Sequence, residues 1–150
     1  MSSSPRAGCL PRIGGALALD FANSTTGRGT DHFVEHLFDY EDLLRWSVFN
    51  EVLTPGAAAV LQARVSPDEQ ASAFAAAMRA RALLNAVFDP LAHGRAAETR
   101  TLDTLAALAK EAWRTAVLRS AGPAYAWRFE PPTPGPTGCS ARSCGPRSRC

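Results

Sequence analysis

The stretch Ser66-Pro67-Asp68-Glu69 constrains this chain more than any other. A serine followed three residues later by glutamate is a capping box, in which each side chain satisfies a backbone N–H of the other, and proline is preorganised for the first helical position. The pattern predicts a long helix running to about Leu91, with Pro90 and Gly94 marking its end. Within it Ala77, Arg81, Leu84, Phe88 and Leu91 step by 4, 3, 4 and 3 and so share one stripe, apolar except for Arg81. A guanidinium there must either snorkel to water along its own stem or be paired. The partner expected from sequence is Asp20, in the equally apolar segment GGALALDFANST at 14–25. Asp20, Asn23 and Arg81 are therefore the candidate polar cluster, either structural or ligand-binding.

Other helix starts are legible in the same way. Asp39 with Asp42 three residues on caps a helix whose apolar face holds Leu43, Leu44, Trp46, Phe49 and Leu53. Thr54-Pro55 opens another helix through Arg64, and Thr99 or Thr101 a later one with Leu102, Leu105, Leu108, Ala109, Ala112 and Trp113 inward. Beyond it the period shortens to two: Val117 and Arg119 alternate, Ser120 to Pro123 reads as a turn, and Tyr125, Trp127 and Phe129 alternate with Ala126 and Arg128. Periodicity alone does not decide between helix and strand for 14–25. The expected architecture is mainly α with a small antiparallel β-hairpin or sheet, a single helical domain over 10–130, with disordered ends at 1–9 and 131–150.

Charge and cysteine distribution narrow the function classes. Residues 15–130 carry 11 Lys and Arg against 14 Asp and Glu, a net −3, whereas both ends are basic and free of acids. Phosphate affinity grows with the number of neutralised charges, so any nucleic-acid role belongs to a tail. The cysteines are Cys9, Cys139, Cys144 and Cys150, and a body without cysteine is no disulfide scaffold. No run approaches the roughly 20 apolar residues of a membrane span, and the apolar run Ile13 to Leu19 is short for a secretory signal and meets Asp20 at once, so a cytoplasmic protein without membrane contact is expected.

Few motifs carry chemistry. His32-Phe33-Val34-Glu35-His36 matches the H-x-x-E-H pattern in which two imidazoles one helical turn apart bind zinc and the glutamate activates water. This makes a small zinc-dependent hydrolase the alternative reading; the plainer one is a polar helix start or loop. No phosphate-cradling glycine loop or serine elbow occurs, and no catalytic role is expected. Cys139, Cys144 and Cys150 are weak metal candidates, because structural zinc wants four ligands.

Taken together, Leu19-Asp20-Phe21-Ala22-Asn23-Ser24, Asp39-Tyr40-Glu41-Asp42-Leu43-Leu44 with Trp46, Arg81-Ala82-Leu83-Leu84 with Phe88, and Trp127 resemble the ABATE domain. This is the N-terminal domain of CGNR zinc-finger proteins, described as stress-induced transcription regulators. The resemblance implies a bacterial regulator with a helical, ligand-sensing N-terminal domain and a C-terminal finger that contacts DNA. It also leaves room for a homodimer formed through the apolar helices. Ser24 stands where the family usually has threonine.

The larger departure is at the C-terminus, where Cys139 to Arg147 looks like a second cysteine pair without a first. Half a finger will not fold on zinc, so no cofactor is expected here, zinc belonging only to an intact finger. DNA binding would be weak, through Arg142, Arg147 and Arg149. The gene is GC-rich by its arginine bias, since only Lys110 among 16 basic residues is a lysine. Back-translated with G or C in the free positions, except a T ending the Gly145 codon, and read from each codon's third base, Gly138 to Cys150 permits Leu-Leu-Gly-Pro-Leu-Val-Arg-Ser-Ala-Val-Ala-Leu, an apolar, helix-like segment. The tail after about residue 130 is on this reading a frameshifted remnant of the linker to a finger. The gene sequence should then show the alternative frame continuing into two cysteine pairs.

Overall fold

Every helix from the second to the fourth begins where a side chain caps it. The computed structural model describes residues 10, 12 and 14–129. The expectations for 1–9 and 131–150, including Cys139, Cys144, Cys150 and the tail arginines, lie outside these residues. By internal contacts the chain divides into two units, 1–108 and 109–150.

In the first unit α1 (Leu17–Ala22) is followed by the two-residue strands β1 (Thr25–Thr26) and β2 (Val34–Glu35), then α2 (Tyr40–Phe49), α3 (Pro55–Arg64) and α4 (Pro67–Ala92). The segment left open by periodicity is thus a six-residue helix. Asp39 Oδ1 accepts from the Asp42 N–H at 2.8 Å, and the Asp42 carboxylate accepts from the Phe38 N–H at 3.2 Å. Thr54 caps α3, with Pro55 in its first turn. At the start of α4 the reciprocal capping box is complete, Glu69 N–H donating to Ser66 Oγ and Ser66 N–H to the Glu69 carboxylate. Pro90 lies in the last turn of α4, and Gly94 follows at φ +68°, a left-handed conformation that favours glycine.

The core of this unit is small. Leu10, Leu37 and Trp46 are buried together, with Phe21, Phe74 and Met78 packed around them. Phe21 tilts against Trp46 with ring centroids 4.9 Å apart. The inward line of α4 is therefore Phe74, Met78 and Arg81, and of the stripe expected from sequence Leu91 is 54% exposed. Val87 is buried farther along the helix, and only toward its end are Leu91 and Ala92 exposed.

Strands β1 and β2 pair antiparallel, Thr25 opposite Glu35 and Thr26 opposite Val34. The loop between them carries Gly27 and Gly29 at positive φ. A Cβ at Gly27 would overlap the His32 carbonyl, whereas one at Gly29 would meet open space. Thermal unfolding should accordingly show Gly29→Ala losing roughly 1–2 kcal/mol, the left-handed penalty alone, and Gly27→Ala clearly more. Equal losses would mean that the His32 carbonyl yields freely.

α5 (Thr99–Trp113) is amphipathic and has no buried residue, Leu102 and Leu108 each being 44% exposed. In the second unit β3 (Ala116–Ala121) and β4 (Ala124–Phe129) form an antiparallel hairpin with Ala121 opposite Ala124. The expected turn at Ser120 to Pro123 is tighter than its sequence suggested. Gly122, at φ +68°, occupies the first position of a two-residue connection, where the strand twist requires positive φ. Trp113 meets Trp127 edge-on at 5.4 Å and Phe129 at 5.7 Å within this unit. The architecture is mainly α with two small antiparallel sheets among the described residues.

Candidate functional site

Arg81 is buried, 8% exposed, and it is paired. Its partner is Glu35 on β2, not Asp20. The guanidinium holds the carboxylate with both arms, Nη1 to Oε1 at 2.8 Å and Nη2 to Oε2 at 2.5 Å, and Nη1 also donates to Ser24 Oγ at 2.9 Å. Ser24, fully buried, donates a hydrogen bond from its hydroxyl to the Phe21 carbonyl at 2.7 Å. Three elements meet here: the residue just beyond α1, strand β2 and the middle of α4. Bidentate pairing of this kind is the strong form of the charge-assisted hydrogen bond.

Glu35 is saturated. Oε1 also accepts the backbone N–H groups of His36 and Leu37, both at 2.9 Å. Burial pushes its pKa up, but the Arg81 hydrogen bonds and charge together with those two N–H groups outweigh burial and hold it below the ordinary value of 4.5. His36 is buried and its Nε2 lies 2.8 Å from Thr26 Oγ1. The H-x-x-E-H segment is extended around β2 rather than helical, so the one-turn spacing that aims two imidazoles at one metal does not arise. No group of three or more potential metal ligands occurs among the described residues.

The other members of the expected cluster stand apart. Asp20 Oδ1 accepts the Gly14 N–H at 2.8 Å, tying the incoming chain to the start of α1. The space there is tight, because a Cβ on Gly14 would approach Leu19 Cβ to 2.6 Å. Asn23 is the C-cap of α1. Asp20, Asn23 and Arg81 therefore do not form one cluster: the first serves the chain before α1, the second faces a cleft, and the third is consumed by Glu35 and Ser24.

That cleft, of about 330 Å³, lies between α1 and the C-terminal half of α4. Leu19, Phe88 and Leu91 form its apolar part, and Asn23, Asn85, Arg28 and Asp89 its polar part. Arg28, from the glycine-flanked loop, donates to both Asp89 oxygens at 3.1 and 3.2 Å and to the Ala22 carbonyl at 3.4 Å. Asn85 Oδ1 is buried without a hydrogen-bond partner, a state shared among the described residues only by Thr25 Oγ1. Buried polar atoms are nearly always satisfied, so such an exception calls for a cause. Asn85 was missed in the sequence, although its position, four residues beyond Arg81 on the line Phe74, Met78, Arg81, was a signal. A larger groove of about 530 Å³ between α2 and α3 is shallow and chiefly apolar, with the Glu41–Arg45 ion pair and Gln62 as its polar members.

No helix among the described residues is long and apolar enough to cross a membrane. A family model, ABATE, with the description "Putative stress-induced transcription regulator", matches residues 15–141, past the boundary at 130 drawn from the sequence. No curated protein and no solved structure matches the chain.

Proposed function

Because the chain belongs to the ABATE family, we propose that it is the signal-receiving part of a transcription regulator, without a catalytic role, and that its body does not itself read DNA. The observation that carries this reading is electrostatic. The body holds 11 Lys and Arg against 14 Asp and Glu, and Arg28, Arg45, Arg81 and Arg114 are each bound to a carboxylate of the same chain. Cations already neutralised within the fold release no counterions on meeting phosphate, which is the main source of affinity for a duplex.

Sequence reading in the family falls to a zinc finger, and the proposal assigns DNA contact to that element and not to the body. Two of the chain's three tail cysteines, Cys144 and Cys150, lie beyond the end of the family match at 141. The absence of catalysis is supported by Glu35, whose carboxylate is engaged by Arg81 through both oxygens and by two backbone amides through Oε1. A cytoplasmic location fits a regulator of this kind.

A randomised duplex pool carried through rounds of selection with the full chain should yield no enriched site. Residual binding should be no tighter than about 10⁻⁶ M at physiological salt and should fall steeply as salt rises. An enriched sequence bound tightly at that salt would overturn the proposal.

A further inference from the structure

We propose that the cleft between α1 and α4 binds a small uncharged ligand, a carboxamide or an alcohol with a compact apolar group, and that Asn85 recognises its polar end. The assignment names the ligand class for the signal-receiving role and rests on that reading. Its starting point is the buried Asn85 Oδ1, which no donor among the described residues reaches. The other polar side chain on the same line of α4, Arg81, is fully paired. A side chain placed for packing alone at this position would be apolar, since an unsatisfied acceptor is costly and an isosteric leucine carries no such cost.

The charge of the ligand follows from Arg28 and Asp89. These two neutralise each other through both carboxylate oxygens, so the cleft offers no net charge to an ion. An anion would have to compete with Asp89 for the guanidinium, and a cation with Arg28 for the carboxylate. A neutral group that both donates and accepts, by contrast, pairs with a carboxamide without disturbing either. Leu19 and Phe88 supply the apolar wall for the rest of the molecule, and a volume of about 330 Å³ stands at the small end of ligand cavities. Because the carboxamide of Asn85 is held by no hydrogen bond, turning it toward an arriving partner breaks none.

Benzamide is the probe, with benzoate and methyl benzoate as controls of nearly the same shape, the first charged and the second lacking a donor. Titrated into the full chain labelled with ¹⁵N, benzamide should give saturable shifts at Leu19, Asn85 and Phe88, and each control should bind at least about tenfold more weakly. Asn85→Leu should remain folded and lose the preference for benzamide over methyl benzoate. Shifts confined to other residues, benzoate binding as tightly as benzamide, or a preference unchanged in Asn85→Leu would each overturn the assignment. The probe comparison uses the unaltered chain and does not depend on the variant folding. Failure here removes the ligand class and the cleft, whereas the regulatory reading stands or falls with the duplex selection.

Discussion

Arg81→Met should lower the unfolding free energy by about 3–5 kcal/mol, the cost of stranding one member of a buried charge pair. The side chain of Arg81 is 10% exposed and that of Glu35 25%, so water and the His36 and Leu37 amides offset part of the loss and the lower end of that range is expected. Ser24, with no exposure at all, loses its donor at the same time. Against a typical domain stability of about 5–15 kcal/mol this is a large fraction of the whole. Arg28→Met is the control. Its pair with Asp89 is 33% and 57% exposed, and its loss should cost at most about 1 kcal/mol. In urea titrations, Glu35→Leu combined with Arg81→Met should recover much of the single-variant loss, since no charge is then left unpaired. A double-mutant cycle between Asp20 and Arg81 should return no coupling. Coupling there, or similar losses for Arg81→Met and Arg28→Met, would contradict the pairing.

The same pair sets part of the pH dependence. Its folded-state pKa being lowered below 4.5, Glu35 contributes stability that is fully present above that unfolded value. The contribution is lost as pH falls from there through the lowered folded value. Glu35→Gln should be less stable than the unaltered chain at neutral pH, and the gap should close on acidification through that window.

Trp46→Ala should cost about 3–5 kcal/mol, as large-to-small changes of buried aromatics do. Trp46 is 5% exposed and joins Leu10 and Leu37 at the centre of the core, with Phe21 packed on its ring. A core this small has few neighbours able to close the cavity. Its fluorescence offers a direct check, because Trp113 and Trp127 are each 54% exposed. The short-wavelength part of the emission should belong to Trp46 and vanish in Trp46→Phe, a milder change that keeps the fold. If the emission maximum of Trp46→Phe equals that of the unaltered chain, Trp46 is not the buried tryptophan.

Local signals were easily legible. Asp39, Thr54 and Ser66 cap α2, α3 and α4 as their spacing predicts, since capping joins residues three positions apart and needs no knowledge of the rest of the fold. The alternation of Tyr125, Trp127 and Phe129 predicted the second hairpin for the same reason. What misled was proximity inferred from character: Asp20 looked like the partner of Arg81 because both interrupt apolar segments. The loop after α1 instead brings Ser24 and Glu35 to the guanidinium, and Asp20 is occupied by the Gly14 amide. The H-x-x-E-H pattern fell to its plainer reading, for its metal-binding geometry exists only on a helix and β2 is extended.

By itself the sequence determined the helix starts, the mainly α architecture with a small sheet, and the requirement that Arg81 be paired or solvated. It also carried the motifs that resemble the family to which the chain belongs. Only the tertiary structure decided which carboxylate meets Arg81 and that Asn85 lines a cleft while its buried Oδ1 lacks a partner. The division follows from range. Caps and periodicity act within one or two helical turns, whereas Arg81 meets Glu35 and Ser24 across 46 and 57 residues of chain. A partner at that separation is chosen by how helices and strands pack, and no local pattern encodes it.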